Sequence, residues 1–256
     1  MPLDVIALFV ILLYFTAFFI VGTLTANNSI VDMGWGFGFV LASAVLYFLG
    51  AQNDAQFIAL FMVAFWGIRL SYHLVKRNLG KPEDFRYVQM RKQFGSQVIL
   101  KSLVNIYLLQ AAFMTVIGLT LFRFFALSDE VSLSLLAVPG VIVYLIGIYF
   151  EAIGDVQLRR HLTKAPGTLM TSGLWSTTRH PNYFGDSAVW WGLYLYVVAL
   201  VPALWWTIVS PIIMTWLLRY VSGVPLLEQR MANKQGWEAY AKRTNIFFPW
   251  FPRRSS

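Results

Sequence analysis

A charged side chain inside an apolar stretch costs about 2.5–3.5 kcal/mol to insert into a bilayer, so the few that stand there are the first candidates for chemistry. Asp32 opens one apolar stretch, and Arg69 lies well inside the next. Glu151, Asp155 and Arg159 follow at spacings of four, which puts all three on one helix face. Asp186 opens a later stretch, and Arg219 and Glu228 flank the end of the last. Spacing alone divides Asp155 and Arg159 evenly between a self-neutralising ion pair and a ligand site. Arg123 and Arg219 fit helix-end residues whose long stems snorkel to the interface.

Other chemistries are poorly served. The chain has no cysteine, which removes disulfides, thiolate zinc sites, cysteine nucleophiles and iron–sulfur ligation together. His73, His161 and His180 are scattered, and none has a partner at metal-ligand spacing within its helix. No serine stands in a nucleophile elbow. Gly34, Gly36 and Gly38 imitate a phosphate-binding turn, but no strand precedes their apolar helix, where small residues serve helix–helix contact.

The elements that must position these residues are membrane spans. Of 256 residues, 58% are hydrophobic and 12% charged, with a mean hydropathy of +0.61. A soluble domain carries about 45–50% apolar and about 25% charged residues. A span needs about 20 apolar residues, and seven are expected, near 3–24, 30–50, 55–75, 102–121, 133–150, 185–201 and 203–221. Pro202 separates the last two as a tight hairpin; a kink there instead would leave six. The first stretch lacks the positive charge and cleavage site of a signal peptide. One multispan domain is expected.

The basic residues report topology. Between the third and fourth expected spans lie Lys76, Arg77, Lys81, Arg86, Arg91, Lys92 and Lys101; between the fifth and sixth, Arg159, Arg160, Lys164 and Arg179. After the seventh come Arg230, Lys234, Lys242, Arg243, Arg253 and Arg254, whereas the alternate loops hold Asp54 and the pair Asp129 and Glu130 with no Lys or Arg. Seven spans put every basic loop on one side, cytoplasmic by the positive-inside rule, with the N-terminus outside and the C-terminus cytoplasmic. This placement discards the glycosylation triplet at Asn27 and explains most of the +8 net charge without nucleic acid. The two longest polar stretches, 76–101 and 158–186, share that face, and long loops in a compact protein are often functional.

A basic, carboxylate-bearing rim therefore meets an interior rich in rings, among them Trp35, Trp66, Trp190, Trp191, Trp205 and Trp206. An anionic, water-soluble cofactor at the rim and a lipophilic substrate entering from the bilayer would use both halves.

The segment from Glu151 to Gly192 carries more than composition. It contains Glu151-Ala-Ile-Gly-Asp155-Val-Gln-Leu-Arg159-Arg160, Ser172-Gly-Leu-Trp175, and Arg179-His180-Pro181-Asn182-Tyr183-Phe184-Gly185-Asp186. With Asn28-Ser-Ile-Val-Asp32-Met-Gly-Trp35-Gly36 and the run from Arg69 through Asn78-Leu-Gly80-Lys81-Pro82-Glu83-Asp84-Phe85-Arg86-Tyr87, it resembles the steroid 5α-reductase family, including bacterial relatives of unknown substrate. The resemblance covers most of the chain. It implies an all-α integral membrane reductase of seven helices, in a bacterial cytoplasmic membrane, that binds NADPH in a cytoplasm-facing cavity. The reaction implied is reduction of a carbon–carbon double bond conjugated to a ketone, in a 3-oxo-Δ4-steroid or a related isoprenoid lipid. Residues 1–98 would form the substrate side and 99–256 the NADPH-binding part.

By position, Asp155, Arg159, Asn182 and Asp186 match residues that hold the cofactor, while Arg69, Asn78, Lys81 and Arg86 match parts that reach its phosphates. Arg160, Lys164, Arg179, His180, Tyr183, Tyr240 and Arg243 complete the implied cofactor set. Trp35, Glu151 and Trp190 fall on the implied substrate side, although Glu151 stands where the family has Asn. Asp32 takes the place of the acid facing the substrate carbonyl, and Trp66 stands where steroid-reducing members carry Tyr. Hydride added β to the carbonyl builds an enolate on the distant oxygen, to which a carboxylic acid kept neutral by an apolar site, here Asp32, can donate a hydrogen bond. Arginines suit phosphates because the guanidinium forks around their oxygens. A lipophilic substrate and membrane lipids are the expected partners of a monomer.

A second resemblance points to another class. Arg179-His180-Pro181-x-Tyr183, then Glu228, Trp237-x-x-Tyr240-x-x-Arg243 and Pro249, is similar to the isoprenylcysteine carboxyl methyltransferases, which use S-adenosylmethionine. Those usually carry a Glu-Glu pair where this chain has Glu228-Gln229, and the reductase reading stands ahead. A lipid-binding scaffold that kept the fold is the non-enzymatic reading, and loss of the carboxylates would have favoured it.

Overall fold

Surrounded by lipid, a backbone must satisfy its own N–H and C=O groups, and the apolar runs of this chain do so as helices. A computed structural model describes residues 2–128 and 131–252. Asp129, Glu130, Arg253 and Arg254, used in the topology argument, lie outside the described residues. Six segments are long and apolar enough to cross a membrane: Leu3–Leu24, Ile30–Leu49, Asp54–Asn78, Phe85–Ile117, Leu135–Lys164 and Pro202–Met231. The described residues contain no strand. The expected sixth span is a helix of 20 residues, Pro181–Leu200, but it is not among the six; Asn182, Asp186 and Ser187 lower its hydropathy.

The chain divides into two units, Met1–Ser134 with Leu200–Thr207, and Leu135–Ala199 with Ile208–Ser256. The first holds α1 (Leu3–Leu24), α2 (Ile30–Leu49), α3 (Asp54–Asn78), α4 (Phe85–Phe94), α5 (Val98–Ser102), α6 (Leu109–Ile117) and α7 (Leu119–Phe125). The glycine run of α2 works as a contact surface: a Cβ on Gly36 would lie 2.5 Å from the carbonyl oxygen of Gly67 on α3, and one on Gly67 would lie 2.5 Å from that of Gly36. Small residues let two backbones touch where lipid offers no hydrophobic drive between helices. Asn53 caps α3 by accepting from the Gln56 N–H, and Asp84 caps α4 by accepting from the Arg86 N–H. Arg123, in the last turn of α7, is partly exposed and its guanidinium is bonded to the Asp4 carboxylate.

The second unit holds α8 (Val138–Lys164), α9 (Pro181–Leu200), α10 (Val209–Trp216), α11 (Val224–Met231) and α12 (Trp237–Arg243). Gly140, Gly147 and Gly154 recur every seven residues along α8, and Gly185 and Gly192 do so along α9. Seven residues are nearly two turns, so each set lines one side of its helix. A Cβ on Gly140 would lie 2.3 Å from the Tyr196 nitrogen, one on Gly147 2.5 Å from that of Val189, and one on Gly185 2.4 Å from that of Glu151. The two helices therefore run antiparallel, backbone against backbone. α10 folds back on α9, since the Ser187 and Thr215 hydroxyls lie 2.7 Å apart and the Trp191 indole N–H donates to Thr215 at 3.1 Å.

Candidate functional site

In the first unit Asp32, one turn into α2, meets the start of α4. Arg86 donates from Nη2 to Asp32 Oδ2 at 2.9 Å and from Nε to Asp84 Oδ1 at 3.0 Å. The Tyr87 hydroxyl donates to Asp32 Oδ1 at 2.6 Å and itself accepts from the Gln110 amide at 3.3 Å. Both Asp32 oxygens thus accept hydrogen bonds, and one of the donors is a guanidinium that never gives up its charge. Through these bonds Asp32 orients Arg86. Arg86 keeps Nη1 without a partner among the described residues.

A cleft of about 200 Å³ opens beside this cluster, lined by Ser29, Asp32, Arg77, Asn78, Lys81, Pro82, Asp84 and Arg86. The fold has gathered Asp32, Asn78, Lys81 and Arg86 from three helices and a loop. Arg69 and Trp66, on α3, do not line it, and neither does Trp35. Trp66 is wholly buried, with Phe39 between it and Trp35 at ring separations of 5.8 and 5.4 Å. The loop below is braced by Glu83, which accepts from the Asn28 N–H at 2.7 Å and pairs with Arg91 at 2.9 Å.

In the second unit the glycine seam sets the acids of α8 against the first turns of α9. Glu151, Asp155, Asp186 and Trp190 are all buried, and the Asn182 amide donates to Asp155 Oδ1 at 3.2 Å. The Asn182 oxygen is buried with no hydrogen-bond partner, an open acceptor beside a carboxylate. One to two turns onward, Arg159, Arg160 and Lys164 are exposed, at about 1.5 Å of rise per residue. Acceptors for hydroxyl or carboxamide donors and cations for phosphates thus follow along one helix, a donor set that fits a dinucleotide. Among the described residues no group of His, Asp and Glu could hold a metal ion.

Three residues expected on the cofactor have another occupation. Arg179 is buried; it forks onto Glu228 at 2.8 and 3.1 Å, and its Nη1 donates to the carbonyls of Ala241 and Thr244 at 2.8 and 2.9 Å. The His180 Nε2 meets Glu228 Oε1 at 2.7 Å, and its ring stacks on Tyr183. Burial pushes the His180 pKa below its ordinary value against the upward pull of Glu228. The Tyr240 hydroxyl, held protonated by burial, donates to the Trp175 carbonyl at 2.6 Å. These bonds clamp α11 and α12 to the loop before α9. Arg243 is exposed and lines an open cleft of about 390 Å³ with Thr168, Thr171, Gln235 and Tyr240.

Asp84, Tyr87 and Gln110 join the cluster without having been expected there from the sequence. Asp84 could have been found, because an Asp just before a helical run is an N-cap signal; the reach of Gln110 to Tyr87 left no sequence trace. The glycine heptads of α8 and α9 are a signal that the sequence does carry.

An all-helical chain with six segments long and apolar enough to cross a membrane, carrying polar clusters set among them, is a multi-pass integral membrane protein. Residues 18–244 match the family described as "Protein of unknown function (DUF1295)", and the chain belongs to that family. No curated protein and no solved structure matches it.

Proposed function

We propose that the protein is a membrane-embedded, NADPH-dependent reductase of a lipophilic enone. The observation that carries this reading is the Asn182–Asp155 pair, with its open amide oxygen and the exposed Arg159, Arg160 and Lys164 that follow on α8. Asp155 and Asn182 would bind sugar hydroxyls or a carboxamide, and the three cations would bind phosphates, including the 2′-phosphate that separates NADPH from NADH. NADPH, when bound, supplies the hydride.

The chain's own contribution on the substrate side is electrostatic. Charge building on the substrate oxygen needs a donor already in place, worth about 10²–10³ in rate for a single group. Arg86, oriented by Asp32 and Asp84 and with Nη1 still open, is that donor in this reading. Asp32 keeps its importance as the group that aims Arg86. Seven spans with the basic loops in the cytoplasm complete the proposal, supported by the fold-back of α10 on α9.

The S-adenosylmethionine reading has one observation in its favour: Arg179, His180, Glu228, Trp237 and Tyr240 do assemble, with Arg179 over the Trp237 ring at 5.5 Å. The Arg179 guanidinium, the Glu228 carboxylate and the Tyr240 hydroxyl are taken up by internal bonds, and of these side chains only His180 Nδ1 is buried without a partner, which leaves the reductase ahead. Titration of the purified protein with NADPH, NADH and S-adenosylmethionine separates the readings. NADPH should bind best; tight S-adenosylmethionine binding with none of NADPH would sink the proposal.

A further inference from the structure

The last described residues, Phe247-Phe248-Pro249-Trp250-Phe251-Pro252, take no part in either polar cluster. They form no helix, yet they are firmly placed. Thr178 pairs with Asn245 as an isolated bridge, the Thr178 hydroxyl donates to the Phe247 carbonyl at 2.8 Å, and the Trp250 N–H donates to the Thr177 carbonyl at 3.0 Å. The side chains divide sharply. Phe247 is 2% exposed, whereas Phe248 and Trp250 are 68% exposed and Phe251 is 83% exposed. Three large rings on a pinned, irregular backbone would be a liability in water.

Their level relative to the bilayer follows from what they touch. Phe247 and Phe248 pack edge-on against Phe184 in the first turn of α9, at 6.3 and 6.2 Å, and Phe184 packs against Phe150 at 5.0 Å. Phe150 ends the uncharged stretch of α8, and Glu151, Asp155, Arg159 and Arg160 follow on the same helix, which puts the cluster near the boundary between hydrocarbon and water. An irregular backbone cannot enter the hydrocarbon exposed to lipid, because unpaired N–H groups cost several kcal/mol there. Here Pro249 and Pro252 have no N–H and that of Trp250 is already bonded, which fits the headgroup layer, where aromatic rings collect. Lys242 and Arg243 precede the segment and Arg253 and Arg254 follow it in sequence, a charge pattern that complements anionic headgroups, at about 1 kcal/mol per basic residue near the surface.

We infer that residues 247–252 are an interfacial anchor, with Phe248, Trp250 and Phe251 seated among lipid headgroups and Lys242 and Arg243 selecting anionic lipid. The anchor holds whichever reaction the protein performs, since it rests only on the membrane placement.

The absence of native cysteine makes the test clean. Phe248→Cys, Phe251→Cys and, as a water-facing reference, Asn233→Cys are each the sole thiol of the full chain. Each is labelled with a nitroxide and reconstituted into vesicles of phosphatidylcholine with or without phosphatidylglycerol. Helical content by circular dichroism confirms folding, and two anchor positions guard against the loss of one. Labels at 248 and 251 should show an oxygen-to-nickel-chelate accessibility ratio several-fold above that at 233, rising further with phosphatidylglycerol. Ratios equal to the reference would overturn the anchor. So would shielding from both reagents, which would mean that protein rather than lipid covers the segment.

Discussion

The Asn182 amide donates to Asp155 Oδ1 at 3.2 Å, joining the first turn of α9 to the acidic face of α8. Neither residue has this neighbour by sequence; the glycine seam brings them together. A pair held this way should act as a unit. Asp155→Ala and Asn182→Ala are each expected to abolish measurable NADPH binding, a loss of more than tenfold or about 1.4 kcal/mol. If residual binding can be followed by calorimetry, the double variant should be little worse than either single one, as contacting residues are not additive.

Asp32 and Arg86 test the other cluster. With a 3-oxo-Δ4-steroid as trial enone, Asp32→Asn should lower turnover by about 10²-fold while NADPH affinity stays close to that of the parent. An equal loss of both would remove Asp32 from the chemistry.

Glu228 accepts from both Arg179 and His180, so its removal strands a buried guanidinium. Glu228→Gln should destabilise the protein by about 3–5 kcal/mol, seen as a lower thermal midpoint in detergent. Lys242→Gln on the exposed face of α12 should stay within about 0.5 kcal/mol.

His180 gives the clamp a pH dependence. Its folded pKa lies below the unfolded value of about 6.5, so the folded state binds fewer protons. Stability is fully present above that value and is lost as pH falls through the folded pKa. Thermal midpoints measured between neutral and mildly acidic pH should fall for the parent, and the His180 part of that fall should vanish in His180→Gln.

Gly147 and Gly185 should tolerate nothing larger. A Cβ at either would stand 2.4–2.5 Å from backbone nitrogen, which cannot move aside as a flexible side chain can. Gly147→Val is expected to cost more than the usual 1–3 kcal/mol of overpacking and to abolish a monodisperse peak in size-exclusion chromatography, whereas Gly80→Ala, with open space around it, should show only the milder strain of a positive φ.

Much of this protein was determined by its sequence alone. The scarcity of charge fixed its medium, because lipid solvates neither ions nor a bare backbone, and five of the seven expected apolar runs fold as single helices or helical segments with ends near those foreseen. The same scarcity made Asp32, Asp155 and Asp186 stand out as a candidate site, to which the family resemblance added Asn182. What the sequence could not assign was the partner of each polar atom. That Arg179, His180 and Tyr240 are turned inward to a clamp, that both Asp32 oxygens are taken by Arg86 and Tyr87, and that the Asn182 oxygen is left open were decided by tertiary structure. A hydrogen bond is made or lost over a fraction of an ångström, and here that distance depends on helix contacts between residues far apart in the chain.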